Sequence, residues 1–227
     1  YQLNFIGKDY ARRQAGEMPS TVIVPDEIQN NGEGKNSKNL FFTGDNLEVL
    51  RHLQTNYAGK VDVIYIDPPY NTGNDDFVYP DRFEYSDEKL KEMFGMDDEQ
   101  VERLKSIQGK SSHSAWMTFM YPRLSLAKNI LSNNGVIFIS IDDNEQANLK
   151  MIMDNIFGES QFLFQAAWRR TDNQPNNGQV AKVKEYILVY AKDGFEMGRL
   201  PLSESALKEY RYEDSYAGKF RRGILLD

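Results

Sequence analysis

V-D-V-I-Y-I-D-P-P-Y-N-T-G, residues 61–73, is an apolar run that stops abruptly at Asp67, two prolines and Tyr70. Val61–Ile66 is β-branched and aromatic, interrupted only by Asp62, and predicts a strand buried on both faces. Two successive prolines cannot continue a central strand, so the chain must leave the sheet at its carboxyl edge. In open α/β sheets that edge is where ligands sit. An acid, rigid carbonyls without amide hydrogens and an aromatic ring are thus presented together. The alternative is a simple turn in which Asp67 bonds its own backbone.

These residue types suit methyl transfer to an exocyclic amino group. The amino nitrogen of adenine is a poor nucleophile because its lone pair is delocalised into the ring. A carboxylate from Asp67 and the Pro68 carbonyl can accept its two hydrogens, which draws the nitrogen toward tetrahedral geometry. Tyr70 offers a flat face to a base extruded from the duplex. The exocyclic amino group of cytosine is a chemically similar target. No covalent intermediate is needed, so the lack of any cysteine costs this chemistry nothing and argues against thiol attack on cytosine carbon.

Outward from that stretch, strands and helices alternate. Asn39–Thr43 reads as a short strand, turned by Gly44, with Asp45 capping a helix from Asn46 to about Asn56. Residues 1–37 read as an amino-terminal arm and linker, polar over residues 30–38. The loop 71–85 holds acids among aromatics and is either a lid over a flipped base or a self-packed surface loop. Residues 86–110 predict a small helical insertion. A long helix follows from Ser114, with Pro122 bending it or marking its start, and Asn133-Asn134-Gly135 closing it in left-handed backbone.

Val136–Ile141 reads as a second fully buried strand. Asp142 or Asp143 then begins a helix to about Ile156, although Asp142 at a strand's carboxyl end could also belong to a site. Two more strands, about Phe162–Trp168 and Tyr186–Ala191, flank the polar tract 171–179. Beside Arg169 and Arg170, that tract is either a nucleic-acid contact or a mobile surface loop.

The 227 residues, 40% hydrophobic, suffice for one good core. No apolar run approaches the ~20 residues of a membrane span, and no secretory signal is read at Tyr1. Disulfides and thiolate metal sites are excluded. The two histidines, His52 and His113, stand far apart without a partner pattern, so no metal is expected. Net charge is −7, acidic up to residue 159 and mildly basic beyond, which is no broad footprint for a phosphate backbone.

Several stretches lie in the order of a known family: F-F-T-G-D-N-L-E-V-L at 41–50, I-Y-I-D-P-P-Y-N-T-G at 64–73, W-M-T-F-M-Y-P-R-L at 116–124, G-V-I-F-I-S-I-D-D-N-E at 135–145, I-F-G-E at 156–159 and E-Y-I-L-V-Y-A-K at 185–192. On these, the chain resembles the beta-class adenine-N6 DNA methyltransferases, in particular the modification (Mod) subunits of type III restriction-modification systems.

The resemblance implies an α/β, doubly wound, Rossmann-like S-adenosylmethionine-dependent methyltransferase fold, incomplete in this chain. Residues 38–192 would be part of the catalytic domain and 193–227 the start of a target-recognition region. Asp67, Pro68, Pro69 and Tyr70 would be catalytic. Asp45, Asn46 and Asp67 would meet S-adenosylmethionine. Tyr70, Asn71, Arg169 and Arg170 are the candidate contacts to double-stranded DNA. The family's F-x-G-x-G cofactor loop does not occur in residues 1–227, so the piece alone is expected to be inactive. A homodimer, a restriction-subunit partner and a bacterial or archaeal cytoplasm are implied too. The competing reading is a truncated, non-catalytic methyltransferase module serving in DNA binding or subunit assembly.

Overall fold

In the computed structural model, residues 3–72, 86–94, 96–106, 112–170, 183–199, 201–216 and 218–221 are described. Their elements are α1 (Lys8–Gln14), α2 (Glu27–Asn31), α3 (Asn46–Tyr57), β1 (Val61–Ile66), α4 (Asp87–Phe94), α5 (Asp98–Lys105), α6 (His113–Ile130), β2 (Leu131–Ile141), α7 (Gln146–Phe157), β3 (Phe162–Arg169), β4 (Lys184–Ala191), α8 (Glu204–Leu207), β5 (Tyr212–Asp214) and β6 (Gly218–Phe220). The chain divides into two compact units, 1–195 and 196–227. The second holds α8, capped by Ser203, and the β5–β6 hairpin, whose Tyr212 and Phe220 rings stack at 5.7 Å.

The first unit is built on a four-stranded sheet of order β1-β2-β4-β3. β1 and β2 run parallel, paired through Val63↔Val136 to Ile66↔Ile139. β4 is antiparallel to β2 and to β3. The unit is α/β, with a mixed sheet. Ile137, Ile139, Ile141, Leu188 and Tyr190 on one face pack against Trp116, Met120 and Leu124 of α6 and Leu149, Ile152 and Met153 of α7. A second cluster joins Tyr10 of α1 to Leu90, Val101 and Leu104 of the helical insertion.

β2 is sealed as expected, but β1 is not buried on both faces: Val63 and Tyr65 are 59% and 60% exposed. β1 lies at the end of the strand order and pairs only with β2 among the described residues, so alternate residues keep an uncovered side. Asn39–Thr43 is irregular rather than a strand. Phe41 is 93% exposed, and a segment with no neighbour to pair with forms no ladder. The parallel pair is therefore β1 with β2, joined through the insertion and α6.

Pro122 sits inside α6 and is buried there. α6 also ends without left-handed residues. Leu131 is extended (φ −62°, ψ 135°) and opens β2 directly, so Asn133-Asn134-Gly135 belong to the strand. Gly135 is needed for closeness rather than φ, because a Cβ there would lie 3.0 Å from the Val61 carbonyl oxygen. α7 begins at Gln146 rather than at Asp142 or Asp143. The Asp142 carboxylate binds the Asn144 amide and side chain, at 2.8 and 2.7 Å, and holds a turn before the helix starts.

Part of the expected arm belongs to the core. Tyr10 and Ala11 are buried, and Thr118 of α6 donates to the Ile6 carbonyl. Glu48 of α3 accepts from Arg51, Ser20 and Thr21. Burial raises its carboxyl, but those hydrogen bonds outweigh it and bring the pKa down to about 2.

Candidate active site

β1 delivers Asp67 to the rim of the sheet, where the diproline turns the chain. Asp67 and Pro69 are exposed, Pro68 and Tyr70 half-buried. The Tyr70 hydroxyl donates to Asp67 Oδ1 at 2.7 Å. The indole of Trp116, fully buried in α6, donates to the Pro69 carbonyl at 2.6 Å. Among the described residues nothing hydrogen-bonds to the Pro68 carbonyl. The alternative turn, with Asp67 bonding its own backbone, does not form for a simple reason: neither Pro68 nor Pro69 has an N–H to give.

In front of Asp67 and Tyr70 lies a cavity of about 180 Å³, also lined by Tyr65, Ser140, Trp168, Glu185, Tyr186 and Ile187. Tyr65 Oη and Ser140 Oγ are 2.6 Å apart, and Tyr186 donates to Asp143. The cavity therefore has aromatic walls, with carboxylates from Asp67 and Glu185. Burial raises the pKa of the Tyr70 phenol, reinforced by the hydrogen bond to Asp67 and by the charges of Asp67 and Glu185. The phenol stays protonated and remains a donor.

Asn71 follows with φ +57°, the single left-handed non-glycine residue among those described. Its Nδ2 donates to Glu145 Oε1. Arg170 pairs with Glu185 at 3.3 Å, which brings the Arg169-Arg170 end of β3 to the cavity wall. Asp45 and Asn46 do not line that cavity. Asp45 caps α3 through the Glu48 amide, and Asn46 accepts from Arg123 at 2.7 Å. Residues 73–85 and 171–182, the expected lid and polar tract, lie outside the described residues.

Sequence reasoning missed Trp116, Trp168, Glu185 and the His113–Glu145 pair as neighbours of the corner. Trp168 and Glu185 were legible only as members of strands, and their shared wall depends on the β3–β4 register. His113 does have a partner: its Nδ1 lies 2.7 Å from Glu145 Oε1. A separation of 32 positions gives no spacing signal.

Residues 61–220 match the DNA methylase family. The chain is 60% identical over 227 residues to the type III restriction-modification enzyme StyLTI Mod subunit of Salmonella typhimurium, covering 97% of this chain and 35% of that protein. It is 44% identical over 233 residues to the EcoPI Mod subunit of Escherichia phage P1, covering 100% of this chain and 36% of that one. The chain thus spans about a third of the length of these relatives. Among solved structures, the M1.HpyAVI–SAM complex aligns with a TM-score of 0.41 and 15% identity, over 72% of this chain and 60% of that one. With its match to the family running from the start of β1 to the end of β6, the chain belongs to the DNA methylases.

Proposed function

We propose that this chain carries the catalytic corner of a site-specific adenine-N6 DNA methyltransferase, the modification subunit of a type III restriction-modification system. One observation carries the reading: an exposed Asp67 and a half-buried Tyr70 stand side by side at the sheet rim, before an open, aromatic-walled cleft. That cleft supports catalysis over a non-catalytic module.

Tyr70 occupies Asp67 Oδ1, so Oδ2 and the Pro68 carbonyl are left to accept the two amino hydrogens of a flipped adenine. Trp116 occupies the Pro69 carbonyl, which leaves the Pro68 carbonyl as the acceptor of the pair. The amino nitrogen regains a directed lone pair, and fixed acceptors need no reorganisation as charge develops on it. Tyr70, with Trp168 across the cavity, supplies flat faces to the base. Arg169 and Arg170 contact the DNA backbone, whereas Asn71, held by Glu145, is not among the residues that line the cavity.

The donor set suits a sulfonium cofactor: two carboxylates and several aromatic rings border the cleft, and both attract a cation. Asp67, with Asp45 and Asn46 on the α3 turn, would hold S-adenosylmethionine, which when bound supplies an electrophilic methyl group. The protein works in the cytoplasm as a homodimer with a restriction subunit. No helix among the described residues is long and apolar enough to cross a membrane.

The test uses the full natural reading frame. With S-adenosylmethionine labelled in the methyl group, label should enter unmethylated duplex DNA as N6-methyladenine, and Asp67→Ala should slow it on the order of 10²- to 10³-fold. Label on cytosine, or undiminished transfer by Asp67→Ala, overturns the reading.

A further inference from the structure

Glu145 is the one acid among the described residues with no exposed surface. It stands at the N-cap of α7, yet its side chain caps nothing there. Instead it accepts from three side chains: Asn71 Nδ2, His113 Nδ1 at 2.7 Å and Asn148 Nδ2 at 2.7 Å. A buried carboxylate persists only when hydrogen bonds replace its water, and the positive end of a helix favours an acid at that place. The bonds reach three elements: the corner after β1, the start of α6, and α7 itself.

We infer that Glu145 is a positioning residue for the Asp67–Tyr70 corner and that it acts through Asn71. Asn71 follows Tyr70 directly and holds φ +57°, a region that L residues other than glycine seldom enter. Its other amide atom, Oδ1, is buried and without a partner among the described residues, so the bond to Glu145 fixes the side chain on its own. Trp116 holds the corner at Pro69 and Glu145 holds it at Asn71. Those anchors hold the backbone on both sides of Tyr70, from which its hydroxyl reaches Asp67. Reaction geometry is steep in position, so a shift of about 1 Å can cost roughly 100-fold in rate. Glu145 touches neither the base nor the methyl donor in this scheme.

This inference rests on the methyltransferase reading. The experiment measures single-turnover methylation and DNA and cofactor affinities in the full natural reading frame, for wild type, Asp67→Ala, Asn71→Gly, Glu145→Leu and the double variant Asn71→Gly/Glu145→Leu. Glycine adopts the left-handed conformation freely, so Asn71→Gly removes the grip and leaves the turn. It should slow methyl transfer about 10- to 100-fold, with both affinities within about threefold. Leucine fills the carboxylate's space, and Glu145→Leu should show the same split. The double variant should be no slower than the worse single one, because both remove one interaction.

If Asn71→Gly keeps the wild-type rate, Asn71 only permits the turn and the inference is overturned. Multiplied losses in the double variant also overturn it, since Glu145 would then act by another route. Should Glu145→Leu not fold, Asn71→Gly alone decides. A wild-type protein that transfers no methyl, or an Asp67→Ala variant as fast as wild type, instead sinks the methyltransferase reading, and the inference falls with it.

Discussion

β1 and β2 are parallel neighbours, and an aspartate follows each at the same rim of the sheet, yet the two acids have opposite fates. Asp142 is consumed by its own turn, one oxygen on the Asn144 amide and the other on the Asn144 side chain. Asp67 is exposed and, among the described residues, accepts only from the Tyr70 hydroxyl. The difference lies in the next two residues. An aspartate at a strand end ordinarily captures the N–H two positions on; after Asp142 that donor is Asn144, whereas after Asp67 it would be Pro69, which has none. The diproline therefore keeps a carboxylate available to a ligand, besides turning the chain.

Deleting each acid gives the largest contrast. Asp67→Ala should lower the single-turnover methylation rate on the order of 10²- to 10³-fold, the scale for losing one fixed electrostatic contact in a transition state. Asp142→Ala should leave that rate within about threefold and destabilise the fold by about 1 kcal/mol, as for a lost side-chain cap. Denaturant melts and methylation assays on both variants check this. Equal losses of rate would break the distinction between a free acid and a bound one.

Tyr70 comes next. Stacking of a base on an aromatic ring is worth roughly 1–3 kcal/mol, or about 5- to 150-fold. Tyr70→Ala should weaken capture of the flipped base by that much, read with a fluorescent adenine analogue at the target position. Asp142→Ala should leave that signal unchanged.

Much of this corner could be read from the residues, because its logic is local: an apolar run, an acid, two prolines and a ring within thirteen positions. The α6 helix was legible from its apolar stripe, Trp116, Met120, Leu124 and Ala127 among it, for the same reason. Exposure was not. The run Val61–Ile66 looks as apolar as Val136–Ile141, but burial depends on neighbours, and among the described residues β2 has two where β1 has one. The contacts that hold the corner were also hidden. Trp116 and Glu145 reach Pro69 and Asn71 across 47 and 74 residues, and only the packing of α6 and α7 on the sheet brings them there. Asp45 was readable as a helix cap, while the salt bridge that ties it to Arg123 was not.

Replacing Pro69 sharpens the comparison more finely. Pro69→Ala restores an N–H two residues after Asp67, giving that carboxylate the partner Asp142 already has. A net hydrogen bond contributes about 0.5–1.5 kcal/mol, so methylation should slow roughly two- to tenfold. Fold stability should hold or rise slightly. A rate equal to wild type would mean that the missing N–H does not keep Asp67 available.

The smallest effect is expected from Tyr70→Phe, which keeps the ring and removes the donor to Asp67 Oδ1. Stacking survives, so the loss should stay below about fivefold, within the worth of one hydrogen bond. Its value lies in the pH profile. Burial and the neighbouring carboxylates hold the Tyr70 phenol above its ordinary 10.0, so in the folded protein it remains neutral as the pH rises past that point. The unfolded chain ionises there and the folded one does not, so this group's contribution is constant below pH 10 and stability is lost only above it. Wild type and Tyr70→Phe should therefore share one alkaline limb of activity below pH 10. An extra alkaline loss in wild type, absent from Tyr70→Phe, would show a phenolate forming beside Asp67, and the corner would then lack the donor that sets Asp67 apart from Asp142.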